Sequence, residues 1–125
     1  MSRSLNRAIL IGRAGAAPQL RTAATGVHVA TFSLATDRRT RGARAEAKPD
    51  WHRIVAWDGL AEQAAARVGR GDLVYVEGRI EYRAYEDRSG RSRTVTEIVA
   101  DDLIVIESRA GGAEQSTSWK ERIVS

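Results

Sequence analysis

Along most of this chain apolar and polar positions alternate with a period of two, the pattern of strands half buried in a sheet. Asn6 to Gly12 (NRAILIG) is a short apolar run that stops at Gly12, and Ala14 to Pro18 is small-residue punctuation. In VHVATFSLAT, Val27 to Thr36, the alternation puts Phe32 and Leu34 on one face. Trp51 to Trp57 (WHRIVAW) sorts the same way, with Trp51, Arg53, Val55 and Trp57 on one face and His52, Ile54 and Ala56 on the other. Two longer strands, Leu73 to Tyr85 and Arg93 to Ile106, are joined by the polar loop Glu86-Asp87-Arg88-Ser89-Gly90. Gly78 interrupts the first of them, where a barrel strand would have to bend.

The period becomes helical once. Gly59 to Val68 (GLAEQAAARV) carries a stripe of Leu60, Ala61, Ala64, Ala65 and Val68, with Asp58 placed as its N-cap and Gly69 or Gly71 as its left-handed stop. Asp37 to Pro49 has five cations and no apolar periodicity, so it reads as a long loop, a kind of segment that is usually functional or disordered. From Ala110 onward Gly, Ser and charge dominate, which predicts a short flexible tail over 110–125. Five strands with one helix between the third and the fourth is the element order of an OB-fold, a small, partly open Greek-key barrel that binds oligonucleotides. The expected fold is therefore all-β with one short helix: a five-stranded OB-fold barrel over residues 1–109, one end plugged by the helix.

Charge adds a direction to this picture. The 125 residues carry 20 Lys plus Arg against 16 Asp plus Glu, a net charge of +4, and only Lys48 and Lys120 are lysines. An arginine bias suits forked contacts to phosphate and stacking on bases, and a GC-rich genome produces it as well. Location is more informative: residues 1–50 sum to +6 and 79–93 to +2, whereas 51–78 sum to −1 and 94–125 to −3. Such asymmetry fits a surface that meets a polyanion on one side, the alternative being a merely solvated face. The absence of cysteine excludes a disulfide framework and a thiolate site. No apolar run approaches the roughly 20 residues of a membrane span, and Met1 to Ala8 lacks the apolar stretch of a signal peptide, so a soluble intracellular protein is expected.

Catalysis finds no constellation. His28 and His52 each sit within a strand without a ligand-spaced partner, and Asp101 and Asp102, being adjacent, point to opposite faces and cannot share a metal. The glycines of Gly12-Arg13-Ala14-Gly15 and Gly69-Arg70-Gly71 are not followed by the Lys-Ser/Thr of a phosphate loop. No catalytic residue, metal or cofactor is expected. Nucleic-acid binding needs cations plus exposed flat rings, and four of the seven aromatics interleave with arginine: Trp51 and Trp57 around Arg53, Tyr82 and Tyr85 around Arg83. A core role for both tryptophans would bury Arg53 with them at a cost, and Ile54 on the opposite face is the better core residue, so the tryptophan face is expected to be exposed. Tyr75, among Leu73, Val74 and Val76, reads as core or strand packing.

Asn6 to Gly12 with Arg13, the strand ending Phe32-Ser33-Leu34-Ala35-Thr36, Trp51-His52-Arg53-Ile54-Val55-Ala56-Trp57, Leu60-Ala61-Glu62, Gly71 to Gly78 and Gly90 to Glu97 together resemble, in order over about residues 3–107, the bacterial single-stranded DNA-binding proteins. The combination is specific where each piece alone is weak. The resemblance implies an OB-fold that assembles as a homotetramer and wraps single-stranded DNA without sequence preference. Trp51, Trp57 and Tyr85 match stacking aromatics of that family, whereas a further family tryptophan falls on Thr40, leaving Arg38, Arg39 and Arg41 to hold backbone by charge alone. The family's cationic path falls on Arg3, Arg7, Arg21, Arg53, Arg70 and Arg83, and His52 matches a histidine at the subunit interface. Family members usually end in a long linker with an acidic, apolar tip that recruits repair and replication enzymes. This chain ends Lys120-Glu121-Arg122-Ile123-Val124-Ser125, which reads as a tailless paralogue, an organelle-like or phage-like form, or a shortened chain, and gives no support for recruitment through a tip.

The leading expectation is a non-specific single-stranded DNA binder. From other classes come an OB-fold interaction subunit of a primosome-like complex, which would keep its affinity without Trp51 and Trp57, and a metal-dependent nuclease, which a cleavage assay with Mg²⁺ would expose.

Overall fold

A computed structural model describes residues 3–38 and 48–109; the middle of the predicted long loop, with Arg39 and Arg41, and the predicted tail lie outside the described residues. The elements run β1 (Ala8–Ala14), β2 (Gln19–Thr22), β3 (His28–Asp37), β4 (Pro49–Trp57), α1 (Asp58–Arg67), β5 (Leu73–Glu86) and β6 (Ser92–Glu107). They form one sheet in the order β1-β5-β6-β4-β3-β2, in which only β4 and β6 run parallel. A further pairing of β1 with β3, Arg13 with Ala35 and Ala14 with Leu34, brings the sheet round on itself. This is the closure of a small, partly open barrel, in which Ala8 to Gly12 of β1 remain paired on one side only.

Alternation explains the interior. Ala30, Phe32 and Leu34 of β3, Ile54 and Ala56 of β4, Val74 and Val76 of β5, and Ile98, Ala100 and Leu103 of β6 all point inward and are buried. Helix α1 packs against β3, β4 and β6 through Ala61 and Ala64, with Val68 beyond its end, so small side chains let it lie close over the barrel. β5 keeps its alternation through Gly78, where the pairing with β6 shifts register, from Glu77 opposite Asp102 to Gly78 opposite Ala100, and Asp101 is left over as a bulge.

Four details differ from expectation. The predicted five strands are present, but β2 is a sixth; all four of its residues are exposed, so no apolar alternation announces it, and its pairing with β3 rests on backbone hydrogen bonds alone. The first strand lies two residues later than predicted, at Ala8–Ala14. Asp58 is not the N-cap: Trp57, still extended and paired with Val29, holds that position without a side-chain capping bond, and Asp58 turns the strand directly into the helix with φ 55°. Its carboxylate sits in the first helical turn, where the helix dipole favours it. Neither glycine stops the helix, which ends in the extended Val68; Gly71, with φ 86°, instead shapes the turn into β5, where Asp72 accepts from the Gly69 N–H at 2.8 Å.

Candidate nucleic-acid interface

The outward face of β3, β4, β6 and β5 carries the side chains the sequence singled out. On β4 the outward residues are Trp51, Arg53, Val55 and Trp57, and their neighbours are set by register: Ala35, Ser33, Thr31 and Val29 on β3, and Glu97 and Val99 on β6 beside Arg53 and Val55. Trp51 is 59% and Trp57 44% exposed, so both indoles offer ring surface to solvent. Between them the face is not open, because Val55 and Val99 are buried and Arg53 is half-buried. The predicted exposure therefore holds for the two rings and fails for the apolar residue between them. The exposed rings flank a largely buried strip of the same strand, and the strand pairing sets their spacing.

Glu97, on the outward side of β6, is nearly buried and gathers two arginines. Arg53 donates its Nε to Oε2 at 2.7 Å from β4, and Arg83 donates Nη2 to Oε2 at 3.1 Å and Nε to Oε1 at 3.3 Å from β5. Burial pushes the Glu97 carboxyl up, and hydrogen bonds from Arg83 and Arg53 more than offset it, holding the group below the usual carboxylate range. The same bond raises Arg83. The triad keeps one net positive charge and stands among the rings: Arg53 is two residues from Trp51, and Arg83 two residues from Tyr85 on the same strand face. Arg53 also lines an open cleft of about 210 Å³ with Gln19, Thr31 and Ser33.

Past the barrel, β5 and β6 continue as a two-stranded arm whose residues 82–86 and 91–94 are all exposed. Tyr85, 44% exposed, shares a face with Arg83, while Tyr82, at 72% the most exposed ring among the described residues, lies on the other. The tip is tied by Asp87, which accepts from the Ser89 N–H and hydroxyl, the Arg91 N–H and Arg93 Nε, and whose pKa is lowered to about 2, first by the Ser89 hydroxyl and then by Arg93.

The remaining predicted cations are spread around the barrel. Arg7 pairs with Glu77, which also accepts from the Tyr75 hydroxyl at 3.0 Å; Tyr75 is thus half-buried packing on the outside of β5 and not core. Arg38 donates to Asp50 at 2.7 Å across the base of the long loop and holds that carboxyl low. Arg3, Arg21 and Arg70 are exposed on the N-terminal segment, on β2 and on the turn after α1, without an ion pair among the described residues. Among the described residues, Arg53 and Arg83 are the predicted cations that share one carboxylate. His28 bonds Glu62 and His52 bonds Thr36, each within the chain. Among the described residues no group of three or more His, Asp or Glu is placed to hold a metal, and no helix is long and apolar enough to cross a membrane. Sequence reasoning missed Glu97, for which there was no signal without the β4–β6 register; Tyr82, which it noted beside Arg83, lies on the opposite face.

A small closed sheet with exposed indoles and a cationic cluster on its outer face defines a barrel suited to a flexible polyanion bearing flat bases. The model of the single-strand binding protein family matches residues 5–106, and the chain belongs to that family. It is 40% identical over 114 residues to single-stranded DNA-binding protein 3 of Listeria innocua, covering 91% of this chain and 71% of that one. To the single-stranded DNA-binding protein of Bacillus cereus it is 38% identical over 118 residues, 94% of this chain and 69% of that one. Among solved structures, that of a Plasmodium falciparum SSB in complex with ssDNA superposes with a TM-score of 0.73 at 35% identity, covering 83% of this chain and 96% of the other.

Proposed function

We propose that this protein binds single-stranded DNA without sequence preference, on the outward face of β4, β6 and β5, and so shields exposed strands during replication, recombination or repair. The observation that carries the reading is the pair of exposed indoles on one strand face with Arg53 between them. Bases stack on Trp51, Trp57 and Tyr85, a contact that every base can make. Arg53 and Arg83 take phosphates beside the rings, Arg3, Arg7, Arg21, Arg38 and Arg70 extend the cationic path around the barrel, and Arg39 and Arg41, outside the described residues, add charge for the backbone. Relatives named for single-stranded DNA binding, and a structural neighbour solved with ssDNA, support it.

Tryptophan fluorescence titrated with oligo-dT tests this. Quenching is expected, with log affinity falling against log salt by about 0.7 per phosphate neutralised. Trp51→Ala and Trp57→Ala should each weaken binding by about 1–3 kcal/mol. A preference for duplex over oligo-dT would refute the reading, and full oligo-dT affinity in the double alanine variant would show that the strand does not lie on the indole face.

Assembly into a homotetramer belongs to the same proposal. Ala8 to Gly12 of β1 pair with β5 on one side only, and Ile9 and Ile11 point outward at 58% and 54% exposure. An apolar strand with a free edge is an open site for a second copy. His52, half-buried in the first half of β4, is assigned to a subunit boundary in this reading. Light scattering with and without oligo-dT reports subunit number and stoichiometry together.

A further inference from the structure

The arginines beside the exposed rings do not stand free: both lean on one nearly buried carboxylate. Glu97 reaches from β6 between β4 and β5 and takes the Nε of Arg53 and one edge of Arg83, Nε and Nη2. The bonds it accepts leave both terminal nitrogens of Arg53 and the Nη1 of Arg83 unused. Side-chain exposure follows the same division, 9% for Glu97 against 40% for Arg53 and 53% for Arg83. A buried ion pair of this kind adds little to stability compared with apolar residues of the same size, so stability does not account for a carboxylate at this place. Fixing direction does, because two flexible guanidiniums converging on one spot would otherwise repel and swing apart.

We propose that Glu97 is a positioning residue for single-stranded DNA binding: it holds Arg53 and Arg83 in one fixed arrangement, with the unused N–H groups turned outward to the phosphates of a strand whose bases lie on Trp51 and Tyr85. This rests on the function proposed above. The strand then meets prearranged donors and loses less side-chain entropy on binding, since the carboxylate has already restrained the two guanidiniums.

Positioning and simple charge make opposite predictions. Glu97→Gln keeps the size and one acceptor oxygen but removes a negative charge from a surface that meets a polyanion. If Glu97 contributed charge alone, the variant would bind oligo-dT more tightly and with a steeper salt dependence. As a positioning residue it should instead lose affinity, by about tenfold, the scale of one charge-assisted hydrogen bond. The loss should disappear in a background where Arg53 and Arg83 are both methionine, because nothing is left to position. Circular dichroism and thermal melting establish that each variant is folded. Nitrogen-15 spectra of the wild-type protein without DNA give a reading independent of any variant: the Arg53 and Arg83 Nε–H resonances should be shifted from the free-arginine position and slow to exchange.

Unchanged or tighter oligo-dT binding by Glu97→Gln, an equal loss in the methionine background, or arginine Nε–H signals averaged with solvent would each overturn the proposal. Failure of the wild-type protein to bind oligo-dT would overturn the function itself. Wild-type binding that depends on Trp51 and Trp57 but not on Glu97 would overturn only the role given to Glu97.

Discussion

Gly15 lies against the indole of Trp51, close enough that a Cβ on the glycine would come within 2.8 Å of the ring carbon Cζ3. The Gly15 N–H donates to the Ser33 carbonyl at 2.8 Å, so the backbone there is anchored and cannot retreat. The indole is therefore seated on bare main chain at the start of the β1–β2 connection. Gly15→Ala should tilt Trp51 without unfolding the barrel, since the ring is 59% exposed and has solvent to move into. The expected result is an affinity for oligo-dT reduced by about tenfold, a fraction of one base stack, with a nearly unchanged melting temperature. Wild-type affinity in this variant would show that the present seat of the indole is not the one used in binding.

Asp72 closes the end of the barrel by joining three segments. One carboxylate oxygen accepts from the Gly69 N–H at 2.8 Å and the other from the Arg109 N–H at 3.0 Å, while its own carbonyl accepts from the Ala14 N–H at 3.0 Å. The residue is 2% exposed, so water cannot replace the lost partners. Asp72→Ala removes both side-chain bonds, leaves two poorly solvated amides behind, and should cost about 3 kcal/mol. Denaturant unfolding should show a lower midpoint at unchanged slope, and a cost below about 0.5 kcal/mol would mean that the turn rearranges freely.

Alternation made most of the barrel legible because one face of each strand is core: Phe32 and Leu34 could be put on one face and Ile54 inward from their spacing, whereas the continuous run Leu73 to Val76 did not say which of its residues face in. It failed where no face is buried, at β2, and where a residue on the outward face is buried by its surroundings, as Val55 is. The rings of the site were legible because tryptophan beside arginine in a strand is costly to bury. Glu97 was not, because its role arises from β4 and β6 lying parallel, a pairing between residues 44 apart in the chain that no local pattern encodes. Asp58 was misread because a helix that starts directly from a paired strand has no separate capping residue.

The bend at Gly78 was legible as a break in the pattern, and the structure supplies its cause. A Cβ at this position would lie 2.0 Å from the Val99 carbonyl oxygen, and that oxygen is main chain inside a sheet. Neither strand can give way without breaking the register shift at Glu77 and Gly78. Gly78→Ala should therefore destabilise the fold by about 3 kcal/mol or more, toward the upper end of overpacking effects. Thermal melting checks this, and a variant as stable as the wild type would show that the bulge tolerates a side chain.

The arm that carries Tyr85 depends on pH through Asp87. Its carboxylate is held at about 2, against an ordinary value of 3.8, by the Ser89 hydroxyl, Arg93 and the tip amides. A carboxyl whose pKa is lower folded than unfolded contributes order that is complete above the unfolded value and is lost as pH falls through the folded one. The tip of the arm should thus stay ordered down to about pH 4 and loosen progressively toward pH 2. The Asp87 side-chain carbon signal, followed by nuclear magnetic resonance, should titrate in that range together with the amide signals of Ser89 and Arg91. Asp87→Ala should reproduce the acid state at neutral pH: hydrogen exchange faster over residues 87–92, little change in the melting of the barrel, and weaker binding of oligo-dT through greater motion at Tyr85. Slow exchange persisting at the tip of Asp87→Ala would mean that Gly90 and the strand pairing hold the turn without the carboxylate.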